Sequence, residues 1–262
     1  MGSRLAIAIP GIGLAVAVVA LGGLAFAVVA AAIAVIGLFE FYNLTAAMRP
    51  LRWAGYAGVL LVVGLAWGVE PPGRAVLLGI SLQLLLVAVA GLILARREEV
   101  TARAGVTLMG ALYLGLPMAI LVITRELPDG AAAVANVLVG TWVFDTASYL
   151  GGRMWGTRPI APRTSPGKTW EGFAVGLAAG TLAVWFAGLY MDWISGVQSL
   201  VLGLVICLSA FLGDLFESLL KRDAQAKDSG KLLLGHGGVL DRFDALLFSA
   251  MAAYFLTTWL VY

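Results

Sequence analysis

This sequence is poor in charge. Only 12% of its 262 residues are Asp, Glu, Lys or Arg, against about a quarter in an ordinary globular chain. Hydrophobic residues make up 61% and glycine adds 33 positions, and mean hydropathy is +0.97. A water-soluble fold of this length needs more polar surface than these side chains supply. A soluble enzyme, a disordered chain and a nucleic-acid-binding module are therefore excluded, and a polytopic membrane protein remains. Cysteine is scarcer still: Cys207 stands alone in an apolar run, so no intramolecular disulfide is available and the redox compartment leaves no trace. Also missing are a Gly-x4-Gly-Lys-Ser/Thr phosphate loop, a Gly-x-Ser-x-Gly elbow and a His-Glu-x-x-His pair, which argues against serine hydrolysis and zinc proteolysis. No internal repeat, soluble domain or low-complexity tail interrupts the chain.

What is abundant is membrane-length apolar sequence. A helix needs roughly 20 apolar residues to cross the hydrocarbon core. The stretch Leu5 to Phe39 is too long for one crossing and reads as two helices turning at Gly22-Gly23. With Arg4 before it, that stretch imitates a signal peptide, but its length favours retention as membrane helix. Further spans fall at about 54–69, 75–95, 104–124, 131–151, 171–190, 197–220 and 243–261. The expectation is an all-α integral membrane protein of nine transmembrane helices. Lys and Arg gather in cytoplasmic loops, and a cytoplasmic N-terminus fits that rule. Of 17 basic residues only Arg74 and Arg125 then lie outside. Residues 1–130 carry spans one to five and 131–262 spans six to nine, within one membrane domain. The two longest polar loops, 152–170 and 221–242, are both cytoplasmic. Tyr42, Trp53, Trp155, Trp170 and Trp193 near span ends read as an interfacial aromatic belt. Gly172, Gly176 and Gly180 form a four-residue ladder that serves close packing within the chain or a homodimer face.

Charges inside spans are costly, by ~2.5–3.5 kcal/mol on insertion scales, and usually mark a partner or a wet cavity. Asp145 lies deep in the sixth span, and Asp214 and Glu217 lie in the cytoplasmic half of the eighth. Glu40, ending the second span, reads as interfacial or supporting. Asp214, Glu217, Ser218 and Lys221 follow i, i+3, i+4, i+7 spacing, which is one helix face. That stripe leads into a loop with Lys221, Arg222, Lys227, Asp228, Gly235, His236, Gly237, Gly238, Asp241, Arg242 and Asp244. Carboxylates converging from two helices suit a hard divalent cation such as Mg²⁺. Interleaved Lys and Arg suit phosphate oxygens, and the glycines let backbone N–H groups approach an anion. The loop 152–170 offers Arg153, Arg158, Arg163, Ser165, Lys168 and Thr169 just before a helix start. Topology-setting bases that bind anionic lipid account equally well for this first loop. They do not account for the acids of the second. His236, the only histidine, reads as a site residue whose role stays open.

The run Ser218-x2-Lys221-Arg222-x4-Lys227-Asp228-x-Gly230-x5-His236-Gly237-Gly238-x2-Asp241-Arg242-x-Asp244 resembles the signature of the phosphatidate cytidylyltransferase (CDP-diacylglycerol synthase) family. Ser165-Pro166-x-Lys168-Thr169-x-Glu171-Gly172 resembles its second stretch. Asp145, with Ala147 and Gly151-Gly152, resembles its intramembrane aspartate segment. The motifs span about residues 141–250, whereas the first hundred residues match in hydropathy and span count. One departure is Leu234, where the family commonly has Pro.

The resemblance implies that CTP and phosphatidic acid give CDP-diacylglycerol and pyrophosphate with Mg²⁺, a second cation being left open. The lipid's own phosphate would be the nucleophile, so the chemistry needs charge neutralisation and in-line positioning rather than a strong base. On this reading Asp214 and Asp241 are the first metal ligands, with Asp145 and Asp244 as further ligands or support. Lys168, Lys221, Arg222, Lys227 and Arg242 hold phosphates, aided by Ser218, Gly237 and Gly238. Ser165, Thr169, Asp228 and His236 shape the nucleotide pocket. The site would face the cytoplasm and open sideways to membrane lipids, in a bacterial inner membrane. Two rivals are a CTP-dependent polyprenol kinase and an ion-coupled transporter using the intramembrane aspartates; no internal repeat favours the latter.

Overall fold

The computed structural model describes residues 2–94, 99–230 and 237–261. Among them are nine α-helices: α1 (Gly2–Leu21), α2 (Gly23–Leu44), α3 (Arg52–Gly68), α4 (Pro72–Leu94), α5 (Val100–Glu126), α6 (Gly130–Trp155), α7 (Trp170–Gly188), α8 (Gly196–Asp223) and α9 (Leu240–Leu260). Seven are long and apolar enough to cross a membrane; α3, with 17 residues, and the apolar part of α1, Pro10–Leu21, are shorter. The chain is an all-α polytopic integral membrane protein with one addition. Between α6 and α7 the loop folds as an antiparallel hairpin of β1 (Pro159–Ala161) and β2 (Ser165–Thr169), with Pro159 opposite Thr169 and Ala161 opposite Ser165. Pro159, Pro162 and Pro166 forbid a helix there. The helices also overrun the apolar runs: α8 carries Lys221 and Arg222, and α9 starts at Leu240. Hydropathy marks where the membrane ends, and a helix continues into water beyond it.

The chain groups into two compact units, one of residues 1–127 with 226–242, the other of 128–225 with 243–262. In the first unit α1 and α2 break at Gly22 and Gly23, whose φ values of +62° and +51° are open to glycine at little cost. Arg125, at the end of α5, fills this break. Its Nε donates to the carbonyl of Val19 at 2.6 Å and its Nη2 to that of Ala20 at 3.2 Å. These carbonyls belong to the last turn of α1, where the helix has no N–H donors of its own to offer them.

Tyr42 departs from the aromatic-belt expectation. It is fully buried, and its hydroxyl donates to the carbonyl of Thr107 at 2.9 Å. Gly55 on α3 makes room for the ring, since a Cβ there would collide with the Tyr42 hydroxyl. Trp53, Trp155 and Trp170 are exposed, as a belt requires.

In the second unit, the glycine ladder of α7 is occupied by α6. A Cβ at Gly172 would lie 2.6 Å from the Ser148 carbonyl oxygen, and one at Gly176 would lie 2.8 Å from that of Phe144. The ladder thus packs two backbones within the chain and presents no dimer face. Helix α9 closes the unit through a 3.0 Å hydrogen bond between Thr141 and Ser249. Its Ala245 joins a core with Phe144, Cys207 and Ala210. Gly176→Ala should therefore destabilise the detergent-solubilised protein by ~1–3 kcal/mol, the usual cost of overpacking. Gly64→Ala, where nothing lies within 4 Å, should leave the melting temperature unchanged or slightly raised.

Candidate active site

The second unit holds a cavity of about 220 Å³. Its apolar wall is Phe144, Phe173 and Phe211, the last two with ring centroids 4.5 Å apart. Its polar wall is Asp145 from α6, Asp214 from α8 and Lys168 from β2. Lys168 Nζ lies 2.7 Å from Asp214 Oδ1 and donates to Ser218 Oγ at 3.4 Å. The pair is only partly exposed, 20% for Lys168 and 33% for Asp214, so its attraction exceeds that of the same charges in bulk water. Asp145 lies within electrostatic reach of both. Ser148, one turn along α6 from Asp145, lines the cavity with a buried hydroxyl that has no hydrogen-bond partner among the described residues.

The α8 stripe is assembled as its spacing requires: Lys168 meets Asp214 and Ser218, while Lys221 pairs with the fully buried Glu217. Asp244 on α9 is buried and within electrostatic reach of Asp214, Glu217 and Asp145. Its Oδ1 accepts from the N–H of Ala245 at 2.8 Å. Asp145, Asp214, Glu217 and Asp244 thus form one cluster with two paired lysines, Lys168 and Lys221.

Among the described residues no group of three or more His, Cys, Asp or Glu is arranged to hold a metal ion. The pair Asp145 and Asp214 is the donor set that the cavity offers, with the unpartnered Ser148 hydroxyl beside it. Such a set fits Mg²⁺, which commonly takes one or two carboxylates and completes its octahedron with water and substrate phosphates.

The hairpin that carries Lys168 is fixed at three points. Glu171 accepts from the N–H of Thr157 (3.1 Å), the N–H of Arg158 (3.2 Å), Thr157 Oγ1 (3.0 Å) and Arg158 Nε (2.9 Å). Arg222 Nε donates to the Thr164 carbonyl at 3.0 Å. Thr169 Oγ1 caps α7 by accepting from the N–H of Gly172 at 3.2 Å. So Arg222 and Thr169, expected to touch substrate, have structural contacts, and Thr169 also lines the cavity. Ser165 stands at the opposite end of β2, across from Ala161.

The remaining candidates lie in the first unit. Asp241 accepts from the N–H of Ser229 at 3.0 Å, from its hydroxyl at 2.9 Å and from the N–H of Gly238 at 2.7 Å. Gly237 has φ +77°, and a Cβ there would lie 2.7 Å from Asp241 Oδ2, so glycine is required on both counts. Lys227, Asp228 and Arg242 are exposed. His236, with Lys231, Leu234 and Gly235, lies outside the described residues. Motif reading left three contributors without a role: Ser148, Ser229 and Glu171. Ser148 sits one turn from an intramembrane Asp, which is a legible signal; the others depend on distant partners.

The sequence model of the cytidylyltransferase family matches residues 2–260, well beyond the stretch 141–250 that the motifs cover. YnbB of Escherichia coli K12, described as uncharacterized, is 40% identical over 139 residues, 53% of this chain and 47% of that protein. A phosphatidate cytidylyltransferase of Mycobacterium leprae is 40% identical over 130 residues, 50% of this chain and 42% of that one. A phosphatidate cytidylyltransferase of Staphylococcus aureus strain COL is 32% identical over 234 residues, 87% of each chain. The chain thus spans about half the length of the first two relatives and most of the third.

Removing the Glu171 carboxylate should loosen the hairpin without unfolding the helices. Glu171→Ala is expected to speed tryptic cleavage after the exposed Arg163 about fivefold or more, since it removes all four hydrogen bonds that this carboxylate accepts. Mass mapping of the early fragments measures it.

Proposed function

The chain belongs to the cytidylyltransferase family, and from that premise we propose that it transfers CMP from CTP to phosphatidic acid, giving CDP-diacylglycerol and pyrophosphate for phospholipid synthesis. The observation that carries this reading is the cavity where Asp145, Asp214 and Lys168 meet. Signature residues Ser218 and Lys221 lie on α8, and Asp241 and Asp244 on α9.

A phosphate oxygen of phosphatidate attacks the α-phosphorus of CTP. The bond from that phosphorus to the oxygen bridging to the β-phosphate breaks, and pyrophosphate leaves with the bond's electrons. No external base is needed, because a phosphate monoester is already largely dianionic near neutral pH. The catalytic requirement is neutralising charge on two approaching anions and holding them in line. Mg²⁺, held by Asp214 and Asp145, would draw charge from the phosphate oxygens it contacts.

Lys168 is a movable cation, paired with Asp214 and hydrogen-bonded to Ser218, that turns to a phosphate oxygen when the carboxylate is otherwise engaged. Lys221, Arg222, Lys227 and Arg242 supply further positive charge for CTP and lipid phosphates. Asp241 serves as ligand or as support of its loop, and Asp244 as support. Ser165 and Thr169 of the hairpin shape the nucleotide pocket. A cavity of about 220 Å³ is smaller than the ~300–1,000 Å³ of pockets that enclose whole ligands. It suits the reacting phosphates and a cation, with cytidine and acyl chains beyond it. The site faces the cytoplasm, where CTP is available, in a bacterial inner membrane. A homodimer, where formed, uses a face other than the glycine ladder.

Purified protein given phosphatidate, Mg²⁺ and α-labelled CTP should place the label in the lipid fraction and release pyrophosphate. Release of CDP with no labelled lipid would favour a kinase instead. Asp214→Asn and Lys168→Ala should each lower kcat by ~10²–10³-fold, the usual cost of losing one charge-stabilising group, with melting temperatures near wild type.

A further inference from the structure

Glu40, near the end of α2, is 1% exposed, and both of its carboxylate oxygens are engaged within the first unit. Oε1 accepts from the N–H of Val239 at 3.0 Å. Oε2 accepts from the N–H of Leu240 at 2.8 Å and, at 3.2 Å, shares the single hydrogen of the Ser229 hydroxyl with Asp241. Gly230 and Gly238 pack against the same carboxylate so closely that a Cβ on either would collide with it.

Leu240 is the first residue of α9. Its N–H is among those that a helix start leaves without an internal acceptor. A side-chain oxygen at the N-cap normally takes such a donor, and negative charge there is favoured by the helix dipole. Here the acceptor comes from 200 residues away in the chain. Asp241 holds the same turn from the other side through Ser229 and Gly238. Ser229, Gly238, Val239 and Leu240 are thus tied to two carboxylates, Glu40 on α2 and Asp241 on α9.

We propose that Glu40 is a positioning residue of this enzyme: it fixes where α9 begins and so sets the direction of Asp241 and Arg242, without touching the reacting groups. The proposal rests on the cytidylyltransferase reading above. A carboxylate is required at this position, because two backbone N–H groups face its two separate oxygens and each needs an acceptor. Gln would turn an NH₂ group toward at least one of them, leaving a donor facing a donor.

The test compares Glu40→Gln, Glu40→Asp and Ser229→Ala with wild type by kcat and KM for CTP, by melting temperature, and by the rate of tryptic cleavage after the exposed Lys227. Folded Glu40→Gln should lose ~10–100-fold in kcat, the scale of an ångström-sized misplacement, with KM changed about threefold or less. Cleavage after Lys227 should quicken in parallel, and Glu40→Asp should regain part of both. Should Glu40→Gln fail to fold, Glu40→Asp and Ser229→Ala are expected to show the same two changes at smaller size. Wild-type kcat and cleavage in these variants would overturn the proposal, as would a lowered melting temperature with unchanged kcat. If wild type labels no lipid, the transferase reading fails, while the Lys227 cleavage rates still decide whether Glu40 holds the segment.

Discussion

A carboxylate on a membrane helix must be neutralised or kept wet, and the 2.7 Å pair between Lys168 and Asp214 is where the second unit meets that demand. The surrounding structure serves it. Lys168 comes from a hairpin, so the hairpin has to be rigid, and Glu171, Arg222 and the Thr169 cap make it so. Asp145 has to face the same space, and the glycines of α7 let α6 approach closely enough for that. The balance of charge is left incomplete: Asp145, Asp214, Glu217 and Asp244 interact with one another, against the paired Lys168 and Lys221. Such an excess of negative charge attracts a divalent cation, and a cation in turn attracts phosphate.

Glu40 is the counterpart in the first unit. It too is an acid near a span end, but it is satisfied by N–H groups rather than by a lysine. The two solutions suit two tasks. A lysine partner can swing to another anion, as a phosphate-handling residue must. Backbone N–H groups cannot move away without unwinding a helix start, which makes Glu40 a fixed clamp.

The helices were legible because each is an apolar run of membrane length, and the stripe of Asp214, Glu217, Ser218 and Lys221 was legible because helical spacing is local. Helix ends were not: polar residues such as Lys221 and Asp241 continue helices outside the apolar runs. The hairpin was hidden in a proline-rich segment that pattern alone reads as loop. With it went the partner of Asp214, since Lys168 reaches a helix about 50 residues further on. Tyr42 misled for a related reason, its position near a span end giving no hint of Gly55 on the next helix. Glu40 carried the weakest local signal of all, because what it binds lies at the opposite end of the chain.

The central claim is that Asp145 and Asp214 hold a divalent cation beside the reacting phosphates. Electron paramagnetic resonance of Mn²⁺ added in place of Mg²⁺, with CTP present, reads this directly. Wild type should bind Mn²⁺, and Asp145→Asn and Asp214→Asn should each weaken that binding about tenfold or more, ~1.4 kcal/mol per decade. Unchanged Mn²⁺ affinity in both folded variants would contradict the account.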